Sequence, residues 1–298
     1  MADFRSGFVA VCGRPNVGKS TLVNRLVGQK VSITSRRPQT TRHRILGIRT
    51  TADAQLVYVD APGVLEGGSG SMNQYLNRAA SGSVAGVDCV LLVISVPGWT
   101  EGDEPALALA RRQGRPVILV INKIDRLADR SVLLPLIHES REKMAFAEII
   151  PVSARTGDGL PALETAIMGH IPVHPAQFPA DQVSDRSDRF MAGELVREQI
   201  FRSFGQEIPY AVTVVIDSFR REPRLVRIEA TIMVEKDGQK LILIGTGGAR
   251  LKEIGRRARL EMQKLFGSKV YLGLWVKVRE GWSDDARALR SFGYGDDI

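Results

Sequence analysis

The octapeptide Gly13-Arg14-Pro15-Asn16-Val17-Gly18-Lys19-Ser20 constrains this chain more than any other stretch. It fits the pattern G-x-x-x-x-G-K-[ST] at every fixed position. An apolar run, Phe8-Val9-Ala10-Val11-Cys12, enters it, and a helical pattern from Thr21 to Val27 leaves it. That strand–loop–helix context separates the motif from an ordinary glycine turn. Glycine lets the backbone curl until successive N–H groups point at one anion, and the helix N-terminus adds positive potential there. Lys19 then reaches the outer phosphates, and the Ser20 hydroxyl ligates Mg²⁺. Residues 13–20, with Thr21 behind them, are expected to cradle a nucleoside triphosphate.

Further markers follow in order. A strand pattern at Gln55–Val59 ends on Asp60-Ala61-Pro62-Gly63. An acid at the carboxyl end of a buried strand is where a parallel sheet places its ligand chemistry. Asp60 is therefore placed to hold Mg²⁺ through water, and Gly63 to offer its N–H to a γ-phosphate. The strand Pro116–Ile121 ends on Asn122-Lys123-Ile124-Asp125. A carboxylate at Asp125 accepts from both N1–H and the exocyclic amino group of guanine. Adenine lacks those donors and would leave a buried charge unpaired. Asn122 ties the base to the loop, and the stem of Lys123 covers the ring. After the next strand, Ser153-Ala154 is placed to bring the Ala154 N–H to the guanine oxygen. Strand and helix patterns alternate up to Ile171, which predicts an open, mostly parallel α/β sheet with helices on both faces.

The succession GRPNVGKS, a threonine-bearing loop, DAPG, NKID and SA resembles the translation-factor class of GTPases, and Pro38-Gln39-Thr40-Thr41-Arg42-His43 resembles the Era family. The resemblance implies a ribosome-assembly GTPase in which a threonine of this loop ligates Mg²⁺ and closes over the γ-phosphate. Thr41 takes that role here rather than Thr40, because it precedes Arg42 as in related GTPases. The resemblance makes Lys19, Thr41, Gly63 and Asn16 the catalytic candidates. Asn16 stands where some relatives bind K⁺; it either helps hold that cation or only caps the loop. Ras-like enzymes place a water-orienting glutamine just after D-x-P-G. Val64 and Leu65 stand there instead, which implies slow intrinsic hydrolysis. Ala61 replaces the threonine usual in the family.

The second half has a different grammar. Residues 172–186 carry three prolines and little periodicity, the signature of a linker. Ser187 caps an amphipathic helix to about Ser203, and strand patterns follow at Tyr210–Phe219 and Leu225–Glu235. Lys236–Gln239 reads as a turn, while 240–244 reads equally as strand or helix. Then Gly245-Thr246-Gly247-Gly248 opens a basic helix over 249–266, and a last strand spans 270–278. Ile-Gly-x-x-Gly before a basic helix marks a KH domain, here of the second topology, whose G-x-x-G loop clamps about four single-stranded nucleotides. Arg250, Lys252, Arg256 and Arg257 stand near enough to pair with phosphates. The tail from Gly281 to Tyr294 also resembles the end of Era. Trp282 and Tyr294 are expected to pack on the KH core rather than stack on bases.

Composition supports this partition. The chain carries a net charge of +8. Residues 4–52 hold ten Lys or Arg and no acid, and residues 239–279 hold ten against two acids. Two basic regions suit two polyanions. No apolar run approaches the ~20 residues of a membrane span, and nothing at the N-terminus reads as a secretory signal. Cys12 and Cys89 read as buried hydrophobes in a reducing cytosol, and His43, His138, His170 and His174 share no ligand spacing.

The expected organisation is a P-loop GTPase domain over 1–171, the linker 172–186, a smaller α+β KH domain over 187–281 and a tail over 282–298. By the resemblance, the protein is a cytoplasmic monomer. It couples GTP and GDP states, with Mg²⁺, to single-stranded RNA at the 3′ end of small-subunit ribosomal RNA. The alternative is a GTPase peripheral to the membrane whose KH-like domain is a protein or lipid module.

Overall fold

Runs that must be buried on both faces set the architecture of the first domain. The computed structural model describes residues 3–64, 70–205 and 207–294. The elements up to the linker are β1 (Arg5–Cys12), α1 (Lys19–Val27), β2 (Ile45–Thr50), β3 (Ala54–Asp60), α2 (Ser71–Gly82), β4 (Cys89–Ser95), α3 (Glu104–Arg111), β5 (Val117–Asn122), α4 (Leu133–Lys143), β6 (Glu148–Pro151) and α5 (Leu160–His170). β3, β4 and β5 are buried along their whole length, as strands covered on both faces must be. The sheet order is β2-β3-β1-β4-β5-β6, antiparallel only where β2 meets β3. Because β3 and β4 flank β1 on opposite sides, the loop leaving β1 opens into the crevice of a topological switch point. The sequence Glu66-Gly67-Gly68-Ser69-Gly70-Ser71 predicts a mobile loop, since glycine leaves the backbone unconstrained, and it falls largely on residues 66–69, outside the described residues.

Residues 172–186 are a strap rather than a free tether. Phe178 meets Phe8 edge-on at 6.4 Å, and the Gln55 carboxamide oxygen accepts the N–H groups of Gln177 and Phe178. Asp185 and the Val183 carbonyl accept the Leu46 and Ile48 N–H groups of β2, covering a sheet edge that would otherwise be bare.

The second domain comprises α6 (Asp188–Ser203), β7 (Thr213–Glu222), β8 (Leu225–Val234), α7 (Asp237–Ile244), α8 (Ala249–Phe266), β9 (Lys269–Val278) and the short α9 (Ala286–Ser291). Its sheet runs β7-β8-β9, antiparallel then parallel. The ambiguous 240–244 stretch is helical. Gln239 accepts the N–H groups of Glu235 and Lys236, so the expected turn becomes the first turn of α7. β7 begins three residues later than expected because the carbonyls of Pro209, Tyr210 and Val212 serve Arg42 instead of a ladder.

Helix α6 is buried from Met191 to Phe201 without a break, so it has no solvent face. Its apolar side packs on the second sheet. Its charged side, with Glu194, Arg197 and Glu198, meets the loop between α1 and β2. From that loop Ile33, 1% exposed, enters the same core as Ile200 and Phe204. The tail joins both domains as well. Trp282 and Tyr294 are buried, as expected of packing residues, but they cluster with Met72, Tyr75 and Leu76 of α2 and not with the KH core alone.

Both thiols lie in the first core, where burial pushes the Cys12 and Cys89 pKa values up to about 12. Native protein at pH 8 should leave both unmodified by a maleimide over an hour, and both should label at once in 6 M guanidinium. Rapid labelling of the native protein would contradict this packing.

Candidate functional site

The crevice at the end of β1 gathers the first set of sequence candidates. Gly13 and Gly18 adopt φ of 149° and 104°, and a Cβ there would stand 2.3 Å from the Val93 carbonyl oxygen and 2.4 Å from Asn122 Nδ2. Glycine is required at both positions. Lys19 opens α1 and folds its Nζ back onto the carbonyls of Gly13 (3.0 Å) and Arg14 (3.1 Å). Burial lowers its pKa to about 8, against the pull of Asp60. A buried ammonium bonded only to its own loop favours an anion beside it. The Arg14 side chain turns away to Asp103 (3.0 Å) and Ser95 (3.2 Å), leaving main chain for the ligand. Val17 is buried, Thr21 lines the cleft, and Asn16 is exposed at φ 66°. That left-handed backbone gives asparagine a conformational reason to be there.

The Asp60 carboxylate is fully buried, and neither oxygen has a hydrogen-bond partner; the nearby Ser32 hydroxyl also lacks one. Burial raises the Asp60 pKa, and the nearby Lys19 ammonium opposes the rise. Orphaned carboxylate oxygens are costly in a dry site unless a cation claims them. Ser20 Oγ and Thr41 Oγ1 stand 2.8 Å apart beside it, whereas Thr40 bonds to Ser35 and to the Arg37 carbonyl. Oxygen donors in this arrangement fit a hard divalent ion such as Mg²⁺. Buried Ala61 and then Pro62 lead into Gly63, where a Cβ would lie 2.7 Å from the Pro15 nitrogen. The two phosphate-facing loops touch through that glycine.

At the mouth, Asn122 donates to the Val17 carbonyl (2.8 Å), while its oxygen accepts the N–H groups of Lys123 (2.7 Å) and Ala154 (3.0 Å). One carboxamide thus ties three loops together. The Ala154 N–H expected at the guanine oxygen points at Asn122, so a base would share it. Lys123, at φ 67°, reaches the Asn16 carbonyl and lies across the opening. Asp125 accepts from Ser153 (2.6 Å) and pairs with Arg155 at 2.8 Å. The reading of the sequence missed Arg155, which had no signal beyond its place next to Ser-Ala.

The second set lies on the KH domain. Gly245 is required by contact, since a Cβ would meet Arg250 Cγ at 2.8 Å. Gly247 and Gly248 face open space and are required by φ of 58° and 76°. Thr246 and Gly247 are exposed, leaving this turn open to a ligand. Beside it runs a groove of about 880 Å³ with Phe204, Ile208, Ile242 and Ile254 along it and Arg250 and Arg257 at its margin. Lys252 is exposed. Arg256 and Arg257, however, share Glu253 at 2.8 and 2.6 Å, and hydrogen bonds from both bring its pKa down to about 2.

Between the two sites lies a junction that sequence reading did not foresee. The buried Arg42 guanidinium donates to the carbonyls of Val212 (2.8 Å), Pro209 (3.0 Å) and Tyr210 (3.1 Å). Arg197, paired with Glu194, donates to the Thr40 carbonyl. Glu198 accepts from Lys30 (2.7 Å) and from the Thr34 N–H (2.9 Å). Thr41 is held from the KH domain on both sides.

Known proteins match across this whole arrangement. A family model described as a 50S ribosome-binding GTPase matches residues 8–123, and one described as a KH domain matches 207–283. The GTPase Era of Stenotrophomonas maltophilia is 55% identical over 288 residues, 97% of each chain. That of Pseudomonas fluorescens is 51% identical over 292 residues, 98% of this chain and 97% of its own. A crystal structure of Era in complex with MgGDPNP and nucleotides 1506–1542 of 16S ribosomal RNA superposes with a TM-score of 0.95 at 38% identity, covering 98% of this chain and 99% of that one. A Tyr-to-Ala variant of Aquifex aeolicus Era bound to GDP·AlF4⁻ superposes equally well, covering 98% and 100%.

The base contact is directly testable. Asp125→Asn should shift nucleotide preference from guanine towards xanthine by at least tenfold, read by competition against a fluorescent nucleotide. Unchanged selectivity for GTP over XTP would remove the assignment.

Proposed function

The chain belongs to the Era family of GTPases, and from that membership we propose how its two sites work as one switch. The protein hydrolyses GTP. Residues 13–21 cradle the phosphates, Lys19 neutralises the outer ones, and Asn122, Lys123, Asp125, Ser153 and Ala154 hold guanine. Ser20 and Thr41, with Asp60 behind them, hold Mg²⁺, which when bound neutralises charge on the β- and γ-phosphates. Gly63 presents its N–H to the γ-phosphate. Asn16 adds a K⁺ ligand near the same phosphates. The units doing this are residues 1–171 and 187–281, joined by the strap and by a tail that touches both.

The RNA site is the Gly245–Gly248 turn with Arg250, Lys252, Arg256 and Arg257 and the apolar groove beside them. Its ligand is an unpaired strand at the 3′ end of small-subunit ribosomal RNA, the RNA in the crystal structure of the Era relative. The role follows as assembly of the small subunit. Among the described residues no helix is long and apolar enough to cross a membrane.

One observation carries the coupling. Thr41 stands within hydrogen-bond reach of Ser20 while its neighbours Thr40 and Arg42 are both held by the KH domain. A ligand that fixes Thr41 therefore favours the docked KH domain. By linkage, RNA bound to the docked form favours the closed nucleotide site to the same degree.

Filter binding of a 16S 3′-end oligonucleotide tests this reading. With GDPNP bound, RNA affinity should exceed that with GDP by about tenfold. Log K should fall with log salt at roughly −3.5 if about five phosphates are neutralised. Arg42→Ala should abolish the difference between nucleotides while GDP affinity stays within threefold. No RNA binding in either state would overturn the reading. Separately, equal hydrolysis rates in NaCl and KCl would remove the K⁺ assignment.

A further inference from the structure

Hydrolysis requires a group that holds the attacking water in line with the γ-phosphate. The glutamine that Ras-like enzymes use after D-x-P-G is replaced here by Val64 and Leu65, which have no polar atom to offer. The structure supplies a carboxamide from another element. Gln39 stands two residues before Thr41 and lines the same cleft as Asn16, Lys19, Ser20, Thr41 and Gly63.

Two features show that Gln39 is held there rather than swept past. Its backbone adopts φ 56°, the left-handed region that a long unbranched side chain seldom enters. Such a conformation is costly and persists where the surroundings over-determine it, often at active sites. Its Nε2 donates to Asn73 Oδ1 at 3.4 Å. Asn73 lies on α2, the helix that follows D-x-P-G. The side chain thus links the loop that carries Thr41 to helix α2. With Nε2 engaged, Oε1 has no donor among the described residues and remains able to accept one. Neighbouring groups are committed elsewhere: Arg37 Nε bonds to the Phe201 carbonyl, and the Thr40 hydroxyl to Ser35.

We propose that Gln39 orients the water that attacks the γ-phosphate, a task moved from the loop after Gly63 to the loop before Thr41. The proposal rests on the GTPase reading above. The water oxygen forms the new bond to Pγ. The bond from Pγ to the bridging oxygen breaks, and its electron pair stays on GDP. The proton lost by the water ends on the released phosphate. Gln39 Oε1 accepts a hydrogen bond from the water as this happens and takes no proton itself. Because the same loop is held by Arg197 and Arg42, a docked KH domain also fixes where that carboxamide stands.

The test uses the full chain and the Gln39→Gly variant, since glycine keeps the left-handed backbone and removes only the side chain. Single-turnover phosphate release at saturating GTP is measured beside Kd for GDP and GDPNP and beside capture of GDP·AlF4⁻. The expected result is a fall in kcat of roughly 100-fold or more, the scale of losing one transition-state hydrogen bond. Both Kd values should stay within threefold, and GDP·AlF4⁻ capture should be lost. Asn73→Ala, which frees the carboxamide without removing it, should lower kcat about three- to tenfold with the same Kd values. Wild-type kcat in Gln39→Gly would overturn the proposal. So would a parallel loss of kcat and GDPNP affinity, because that would make Gln39 a structural part of the loop. Wild-type protein that releases no phosphate from GTP would overturn the enzymatic reading itself, and this proposal with it.

Discussion

The loop between α1 and β2 has to satisfy two cores at once, and the rest of the molecule depends on how it does so. Ile33 is buried among KH residues, a transfer that stabilises the docked form by roughly 2 kcal/mol. Arg42 is a different kind of anchor. Its guanidinium is desolvated, and burial lowers its pKa, yet its acceptors are carbonyl oxygens and the Tyr294 hydroxyl rather than a carboxylate in direct contact. Burying a cation costs several kcal/mol before such bonds offset it. When the domains part, water replaces those bonds and the desolvation cost disappears.

The same logic explains the composition of α6. A helix buried all round would normally be apolar all round. Here one side carries Glu194, Arg197 and Glu198, and each charge is matched across the junction or within the helix. Burial alone would raise the Glu194 pKa, but Arg197 outweighs it, so the carboxylate stays ionised. Removing either partner would strand a charge in a dry site, whereas separating the domains hydrates both. The arrangement tolerates opening and resists mispairing.

How much of this was legible in the sequence depended on sequence distance. The crevice at β1 was readable because Gly13 to Ser20, Asp60 to Gly63 and Asn122 to Asp125 each sit at a strand end, so local pattern and global position coincide. The basic helix 249–266 was readable to the residue, since Gly248 and Gly267, both left-handed, bracket it. The junction was not. Glu194, Arg197 and Glu198 have the spacing of a solvated face, and nothing local shows that residues 30–42 cover them. Arg42 pairs with groups some 170 positions away. The reverse failure occurred at Glu253: its partners at i+3 and i+4 are a local signal, but the basic run around it invited a reading as free cations. The 240–244 stretch was ambiguous because a short apolar run bounded by glycine fits either period, and only the Gln239 cap decides for helix.

That pairing also bears on how RNA is held. Arg256 and Arg257 already spend charge-assisted hydrogen bonds on Glu253, in an exposed place where such pairs contribute little stability. A phosphate arriving there must share the guanidinium groups with the carboxylate, so its gain is the difference between two similar partners. Arg250 and Lys252 have no such competitor among the described ion pairs, although Arg250 leans on the Ile242 carbonyl and the Phe204 ring. In the Gly245–Gly248 turn the Gly245 and Gly248 N–H groups are taken by the Leu241 and Gly245 carbonyls, which leaves the exposed Thr246 and Gly247 as the part of its backbone open to a ligand. On the proposed RNA site, affinity would concentrate at the turn and the first part of α8, and sequence preference would fall to the apolar groove beside Phe204, Ile208 and Ile242. That groove borders Arg202 at the end of α6, which itself reaches Thr34, while Arg197 and Glu198 of the same helix hold Thr40 and Thr34.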